Sequence, residues 1–260
     1  MEKFLLNGGE FMKLNNIFFY AVLLLSIASF TVKSNATDQD QALFTLITVL
    51  YNETDMARIN EYLTCLEKNL EHPQLETIHV LYDDSKDNEN NVILNFLKEK
   101  NVRITYIHER PTFGYCFEIA NSMYNNSKVI ISNADIYYND TLQLLNGYSL
   151  ENKFLALTRW NLTKDGSLIP YIWPDGRKGE YSQDSWIFQT PIKPFVEDNI
   201  QLGVPHCDGR VAFEAQRAGL LVINPCVSLQ CCHVHLTGKH NYTALPYPRG
   251  KAIKVEWTAL

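Results

Sequence analysis

The chain has 260 residues, of which 23 are Lys or Arg and 29 are Asp or Glu, and its formal net charge is −6. Hydrophobic residues make up 46% of the chain and charged residues 20%, which excludes a disordered chain, a collagen-like chain and a long coiled coil. The acidic balance also argues against a broad basic surface, so we expect no nucleic-acid partner.

The first 36 residues have the features of a targeting signal. An apolar run over residues 17–30 is followed by a small-x-small tripeptide that ends at Ala36 and suits signal peptidase. The run is shorter than the roughly 20 residues that span a bilayer. We expect a cleaved signal peptide at 1–36 or, alternatively, a membrane signal-anchor. Both place residues 37–260, as one catalytic domain, in the secretory pathway or outside the cytoplasm (secreted, periplasmic or lumenal).

Strand and helix patterns alternate from residue 43 to residue 132. Apolar, β-branched runs of strand length are separated by apolar residues at helical spacing. This alternation predicts an α/β fold with a mostly parallel central sheet flanked by helices, whose strands all end at one ligand-binding edge. The predicted strands are 43–50, 77–82, 102–108 and 128–132, and the predicted helices are 55–70, 90–100 and 113–124.

The pattern loosens after residue 140. The segment 161–183 is rich in Gly, Pro and charge, which predicts a loop, and a long irregular loop beside a site is often functional. The remaining predicted elements are strands at 154–159, 185–189, 220–224 and 227–235, which finish the sheet, and a helix at 208–218.

Polar and acidic residues follow the predicted strands at this edge. No glycine-rich dinucleotide or phosphate-loop motif accompanies them. Acidic groups that face the phosphates of a nucleotide need a cation between them, because like charges repel, and oxygen ligands suit Mg²⁺ or Mn²⁺. The residues concerned are Tyr51, Asn52, Glu53, Asp83, Asp84, Asn133 and Asp135.

The order and spacing of these residues resemble the family 2-like glycosyltransferases of the nucleotide-diphospho-sugar transferase (GT-A) fold. The resemblance covers residues 43–240 and implies transfer of a sugar from a nucleoside-diphosphate donor to an acceptor hydroxyl, assisted by Mn²⁺ or Mg²⁺. The acceptor (glycan, lipid or protein) stays open. The matching positions are Tyr51-Asn52-Glu53, Asp83-Asp84, Gly114, Ala120-Asn121, Asn133-Ala134-Asp135, Cys207-Asp208 and Ala218-Gly219.

The resemblance also implies roles for individual residues. Asp135 would hold the metal that bridges the diphosphate, whereas Asn133, at the place of the first Asp of the family motif, offers a neutral carbonyl ligand or a sugar contact. His235, and after it His233, would complete the metal shell, because residues two apart on a strand share a face. The nucleotide contacts would come from Tyr51, Asn52, Glu53, Asp83, Asp84, Arg110, Asn121 and Asn133, and Arg159 is a further candidate for a phosphate oxygen.

Asp208 is the candidate general base of an inverting reaction, provided that burial raises its pKa. The alternative is that Asp208 only caps the helix that it begins. Asp184 is the alternative base or an acceptor-binding group. Trp160 and Trp186 are candidates for stacking on the face of an acceptor sugar, although burial is the commoner fate of Trp.

Six cysteines in an exported chain suggest disulfides. We expect Cys207 to pair with Cys226, Cys231 or Cys232, while Cys65 and Cys116 are also explained as buried thiols.

Two other functions stay open. An exported, non-catalytic sugar-binding or interaction protein would explain Asn133 and the signal, since nucleotide sugars are scarce outside the cytoplasm. A nucleotidyltransferase fits less well, because residues 51–54 lack its Gly-rich, basic turn.

Overall fold

The computed structural model describes residues 41–85, 91–238 and 248–260. The predicted signal peptide or anchor lies outside these ranges. Within them, no helix is long and apolar enough to cross a membrane. The strands are β1 (Phe44–Tyr51), β2 (Leu75–Asp83), β3 (Arg103–Ile107), β4 (Lys128–Ser132), β5 (Ile136–Tyr138), β6 (Lys153–Leu157), β7 (Trp160–Leu162), β8 (Leu168–Pro170), β9 (Ser185–Gln189), β10 (Leu221–Ile223) and β11 (Cys231–His233). The helices are α1 (Met56–Glu71), α2 (Val92–Glu99), α3 (Phe113–Met123) and α4 (Cys207–Arg217), and a 3-10 helix spans Asp140–Leu145.

A central sheet has the strand order β10-β6-β9-β4-β1-β2-β3. Its neighbouring strands are parallel except at β9, which is antiparallel to β4 and β6. Side chains alternate across this sheet, so that Ile47 packs with α3 and α4 on one face while Leu46 packs with α1 and α2 on the other. The predicted fold class, a mostly parallel sheet flanked by helices, is confirmed.

A second, smaller sheet has the order β5-β11-β7-β8 and corrects two predictions. Residues 227–235 do not finish the central sheet, because β11 pairs antiparallel with β5 and parallel with β7 instead. The segment 161–183 is not a plain loop, because β7 and β8 form a hairpin within it. This second sheet carries the late histidines back to the turn that follows β4.

The predicted disulfide is wrong. All six cysteines are free and buried, including Cys65 and Cys116, which are the buried thiols of the alternative interpretation. Three of the four candidates for pairing lie in three different apolar clusters: Cys207 at the start of α4, Cys231 beside α1 and α2, and Cys232 on the opposite face of β11.

Candidate functional site

Three possible metal ligands converge beside the carboxyl edge of the central sheet. Asp135 lies in the turn between β4 and β5, and His233 is the last residue of β11. Because β11 pairs antiparallel with β5, His233 lies opposite Ile136, the neighbour of Asp135. One ligand atom from each of Asp135, His233 and His235 lies within 4.8 Å of the other two. The Asn-Ala-Asp turn and the late histidines therefore meet.

The buried Asp135 carboxylate is surrounded by positive or protonatable groups. Its Oδ2 atom accepts a 2.5 Å hydrogen bond from Arg58 Nη2 and lies 3.1 Å from His233 Nε2. His235 Nδ1 lies 3.8 Å from the same oxygen. Burial alone would raise the pKa of Asp135, but the two histidines and Arg58 outweigh burial and hold the pKa well below its ordinary value. The other oxygen, Oδ1, is buried and has no hydrogen-bond partner among the described residues.

The contacts of the His233 ring bear on whether a cation fits here. Its Nδ1 atom lies 2.9 Å from Asn161 Oδ1, which also accepts a hydrogen bond from Arg159 Nε. Because an amide oxygen only accepts, Nδ1 is the protonated donor of this pair. In the neutral ring, Nε2 then points a lone pair at Asp135 Oδ2, and two acceptors 3.1 Å apart repel each other. The contact becomes favourable when the ring carries a second proton or when a cation lies between the two atoms, and a second-sphere acceptor at Nδ1 is typical of metal-bound histidine.

Sequence reasoning misses Arg58, which lies in α1. Its Nη1 atom donates to Glu61 Oε2 at 2.6 Å and to the Val234 carbonyl oxygen at 3.3 Å. Glu61 in turn accepts a hydrogen bond from the Thr237 backbone N–H at 2.8 Å. The available signal was that Arg58 and Glu61 fall on the same helix face as the apolar residues Tyr62 and Leu66. A charged pair on such a face must find buried partners.

Arg58→Met is expected to lower the free energy of unfolding by about 3–5 kcal/mol, because it leaves Asp135 and Glu61 buried without their shared cation. The matched control is Arg177→Met, since the Arg177 side chain is 74% exposed beside Asp175. That control should change the free energy by at most about 0.5 kcal/mol. Denaturant unfolding of both variants measures the difference, and equal losses would contradict the assigned role of Arg58.

Asp184, which directly precedes β9, is joined to the Asp135 centre by contacts. Asn133 Nδ2 and Arg159 Nη1 each donate to the Asp184 carboxylate at 2.9 Å. Arg159 also reaches Asn161, the partner of His233. Asp135 and Asp184 therefore belong to one continuous polar site.

Asp208 does not act as a helix cap. The helix α4 begins at Cys207, its N-cap residue His206 has a left-handed backbone, and no side chain caps it. The Asp208 carboxyl instead accepts hydrogen bonds from the Gln183 backbone N–H at 3.2 Å and from Cys207 Sγ at 3.0 Å. Burial, and after it the charge of Asp184, raises the pKa of Asp208 to about 7. A carboxyl that titrates near neutral pH beside a second carboxylate suits proton transfer.

This raised pKa predicts a pH-dependent gain in stability for Asp208→Asn. Between the ordinary pKa of 3.8 and the folded value of about 7, the folded chain binds more protons than the unfolded chain, so the stability of the natural protein falls as pH rises. After allowance for the partial exposure of the residue, we expect the variant to be more stable by about 2 kcal/mol at pH 8. Most of the difference should disappear by pH 4. Thermal unfolding across this pH range tests the prediction, and a variant less stable at pH 8 would contradict it.

The predicted nucleotide-binding residues at the ends of β1, β2 and β3 lie side by side. Tyr51 and Asp83 are cross-strand partners at the last positions of their strands. Asp84 pairs with His108 at 2.6 Å, and Arg110 Nη1 donates to the Leu202 carbonyl oxygen at 2.9 Å. These positions share one edge, and their contact with a nucleotide stays a prediction.

The next residues of the first motif shape the turn into α1. Asn52 and Glu53 are buried. Glu53 Oε1 accepts hydrogen bonds from the backbone N–H groups of Thr54 and Asp55, and its Oε2 lies 3.2 Å from the Tyr51 hydroxyl. Glu53 therefore has a structural task whether or not a nucleotide binds.

Two predicted site residues are in the wrong place. Asn121 lies near the end of α3, away from the carboxyl edge, and both atoms of its amide bond the backbone of Ile192. Trp186 is fully buried, with its ring centroid 4.7 Å from that of Phe113, so it offers no face to a sugar. Trp160 remains half-buried, and its Nε1 donates to a backbone carbonyl oxygen.

Among solved structures, the protein is similar to a mannosyltransferase from Pyrobaculum calidifontis that was solved in complex with GDP-Man and Mn²⁺. The sequence identity is 14%, the match covers 89% of this chain and 69% of that one, and the TM-score is 0.50. The chain has the nucleotide-diphospho-sugar transferase (GT-A) fold. The expected GT-A resemblance is thus confirmed for the fold, while residue roles remain to be tested.

Two structures of S. aureus TarS are also similar, each at 16% identity and a TM-score of 0.43. They match 74% and 75% of this chain and 58% and 35% of their own chains, and likenesses this weak add no argument. A scan against protein-family profiles and a search of curated proteins gave no match.

Proposed function

We propose that the protein is a glycosyltransferase that moves a sugar from a nucleoside-diphosphate donor to an acceptor hydroxyl. The observation that carries this proposal is the Asp135–His233–His235 cluster beside the carboxyl edge of a GT-A sheet. Two features favour a bound cation. The Asp135 Oδ1 atom has no hydrogen-bond partner among the described residues, and in the neutral ring His233 Nε2 faces the acceptor oxygen Asp135 Oδ2.

These three side chains would hold the divalent ion, and one carboxylate with two imidazoles suits Mn²⁺ better than Mg²⁺. When bound, the ion supplies positive charge to the leaving diphosphate. Tyr51, Asp83 and Asp84 would bind the nucleoside at the ends of the neighbouring strands.

Asp208 would accept the proton of the acceptor hydroxyl, because its raised pKa makes it both partly ionised and basic near neutral pH. Asp184, held by Asn133 and Arg159, would raise that basicity by its charge. Arg159 would in turn orient the Asp184 carboxylate. We further propose that residues 1–36 direct this domain to an exported or lumenal compartment, with membrane association if the segment is retained.

Thermal unfolding with UDP, GDP and CDP, each with and without Mn²⁺, tests the proposal. One nucleotide is expected to raise the melting temperature only together with Mn²⁺, and saturation at a hundredfold excess over Kd corresponds to about 2.7 kcal/mol. GDP is the first probe, since the Pyrobaculum structure contains GDP-Man and Mn²⁺. No response to any nucleotide would overturn the transferase and favour the non-catalytic sugar-binding protein.

A further inference from the structure

Two exposed aromatic side chains lie in the segment that leads from β8 to Asp184. Trp173 is 36% exposed and Tyr181 is 52% exposed, which is unusual for rings of this size. Neither residue belongs to the Asp135–His233–His235 cluster or to the predicted nucleotide-binding positions at the ends of β1, β2 and β3.

The Trp173 ring is linked to Asp184 through two intermediate side chains. Its centroid lies 5.3 Å from that of Tyr171 in an edge-on arrangement. The Arg159 guanidinium lies 3.8 Å above the Tyr171 ring, and the same guanidinium donates to Asp184. A Cβ atom at Gly179 would lie only 2.6 Å from Tyr171 Cδ1, which is too close for two carbon atoms that are not bonded. The Tyr171 ring therefore packs directly against the backbone of Gly179. The Tyr171 ring, between the Gly179 backbone and the Arg159 guanidinium, is therefore fixed before any ligand binds.

Tyr181 packs beside the start of α4, the helix that carries Asp208. A Cβ atom at Gly209, the residue after Asp208, would lie 3.5 Å from Tyr181 Cδ1. Tyr181 thus lies beside this helix start, and the Trp173 ring lies at the end of a chain of contacts that leads to Asp184.

The charges around these rings indicate an uncharged ligand. Acidic and basic side chains occur together here, and the ion pairs contain two cations and three carboxylates, so they create no positive field that would attract an anionic lipid headgroup or an acidic peptide. Ring faces stack on the C–H groups of a pyranose, and carboxylates and guanidinium groups bond its hydroxyls. The ion pairs are Arg177–Asp175 at 2.7 Å, Lys254–Glu256 at 3.0 Å and Lys254–Glu180 at 3.6 Å.

We infer that Trp173 and Tyr181 form the acceptor subsite of this enzyme and that its acceptor is a neutral oligosaccharide. Tyr171 is a positioning residue that fixes the Trp173 ring. The assignment of this site to the acceptor rests on the proposed function, whereas the binding of an oligosaccharide to the two rings does not depend on that function.

The test is ¹⁹F NMR of the full chain labelled with 5-fluorotryptophan, whose four Trp residues include Trp173. The Trp173 signal is assigned with Trp173→Phe. Cello-, chito-, malto- and manno-oligosaccharides are titrated without nucleotide, and at least one is expected to shift the Trp173 signal saturably. Tyr181→Ser should weaken that binding about tenfold, while Tyr181→Phe keeps most of the affinity. The control Leu221→Ala changes an exposed residue at the first position of β10, at the opposite sheet edge, and should bind normally.

Failure of this inference and failure of the proposed function give different results. If no oligosaccharide shifts the Trp173 signal, or if phosphatidylglycerol vesicles shift it instead, the subsite is overturned even when Mn²⁺ and a nucleotide still raise the melting temperature. If an oligosaccharide shifts the signal but no nucleotide stabilises the chain, the sugar site stands and the transferase is overturned.

Discussion

Replacing Asp135 by Asn is expected to abolish the Mn²⁺-dependent thermal response to nucleotide. The substitution keeps the size of the side chain but removes the charge that faces both histidines and Arg58. A neutral amide oxygen is a much weaker ligand for a divalent cation, and the remaining imidazoles cannot neutralise it. The readout is the melting temperature with and without Mn²⁺ and the nucleotide that stabilises the natural chain.

Asp135→Asn also removes one partner of a buried ion pair, so the variant without ligand should lose about 3 kcal/mol of stability. Asp165→Asn is the matched control, because Asp165 is exposed and its carboxylate bonds only its own turn. The control should keep the full response. A folded Asp135→Asn variant that still responds to Mn²⁺ would remove Asp135 from the metal site.

Asp208→Asn is expected to lower turnover about a thousandfold while nucleotide binding is unchanged, because a positioned general base contributes roughly 10²–10⁴ in rate. Release of nucleoside diphosphate from a nucleotide sugar, with water as the acceptor, provides the assay. In the natural protein, the rate should rise with pH and level off above about pH 7, because only the ionised carboxylate accepts a proton.

The control for Asp208 is Asp165→Asn, which changes an exposed carboxylate of the turn between β7 and β8 and should leave turnover intact. Unchanged turnover in Asp208→Asn would reassign the base to Asp184, the carboxylate whose charge raises the pKa of Asp208. Lost nucleotide binding would show instead that Asp208 shapes the donor site.

Much of the fold was predictable because its signals are local. Apolar runs of strand length and helical spacing occur within short windows, and the predicted helix at 113–124 differs from the observed α3 (Phe113–Met123) by one residue. The convergence of polar strand ends follows from the right-handed crossover, so the proximity of Tyr51 and Asp83 needs no further information.

The site was only partly predictable because its members are far apart in the sequence. Arg58 reaches Asp135 across 77 positions and the Val234 carbonyl across 176, and no local pattern identifies such partners. The wrong prediction for Trp186 has a similar cause. The Trp186 ring belongs to the core between the central sheet and α3. The sequence alone does not distinguish such a buried Trp from one that stacks on a sugar.

The sequence by itself determined the alternation of strands and helices, the shared edge at which their polar ends meet, and the spacing of the two late histidines, of which His233 ends β11 and His235 follows it. Tertiary structure alone decided that this strand leaves the central sheet, that Arg58 shares the carboxylate of Asp135, and that the cysteines remain apart. The physical reason is that periodicity and turn chemistry act over a few residues, whereas burial, ion pairing and strand partnership depend on which distant segments fold against each other.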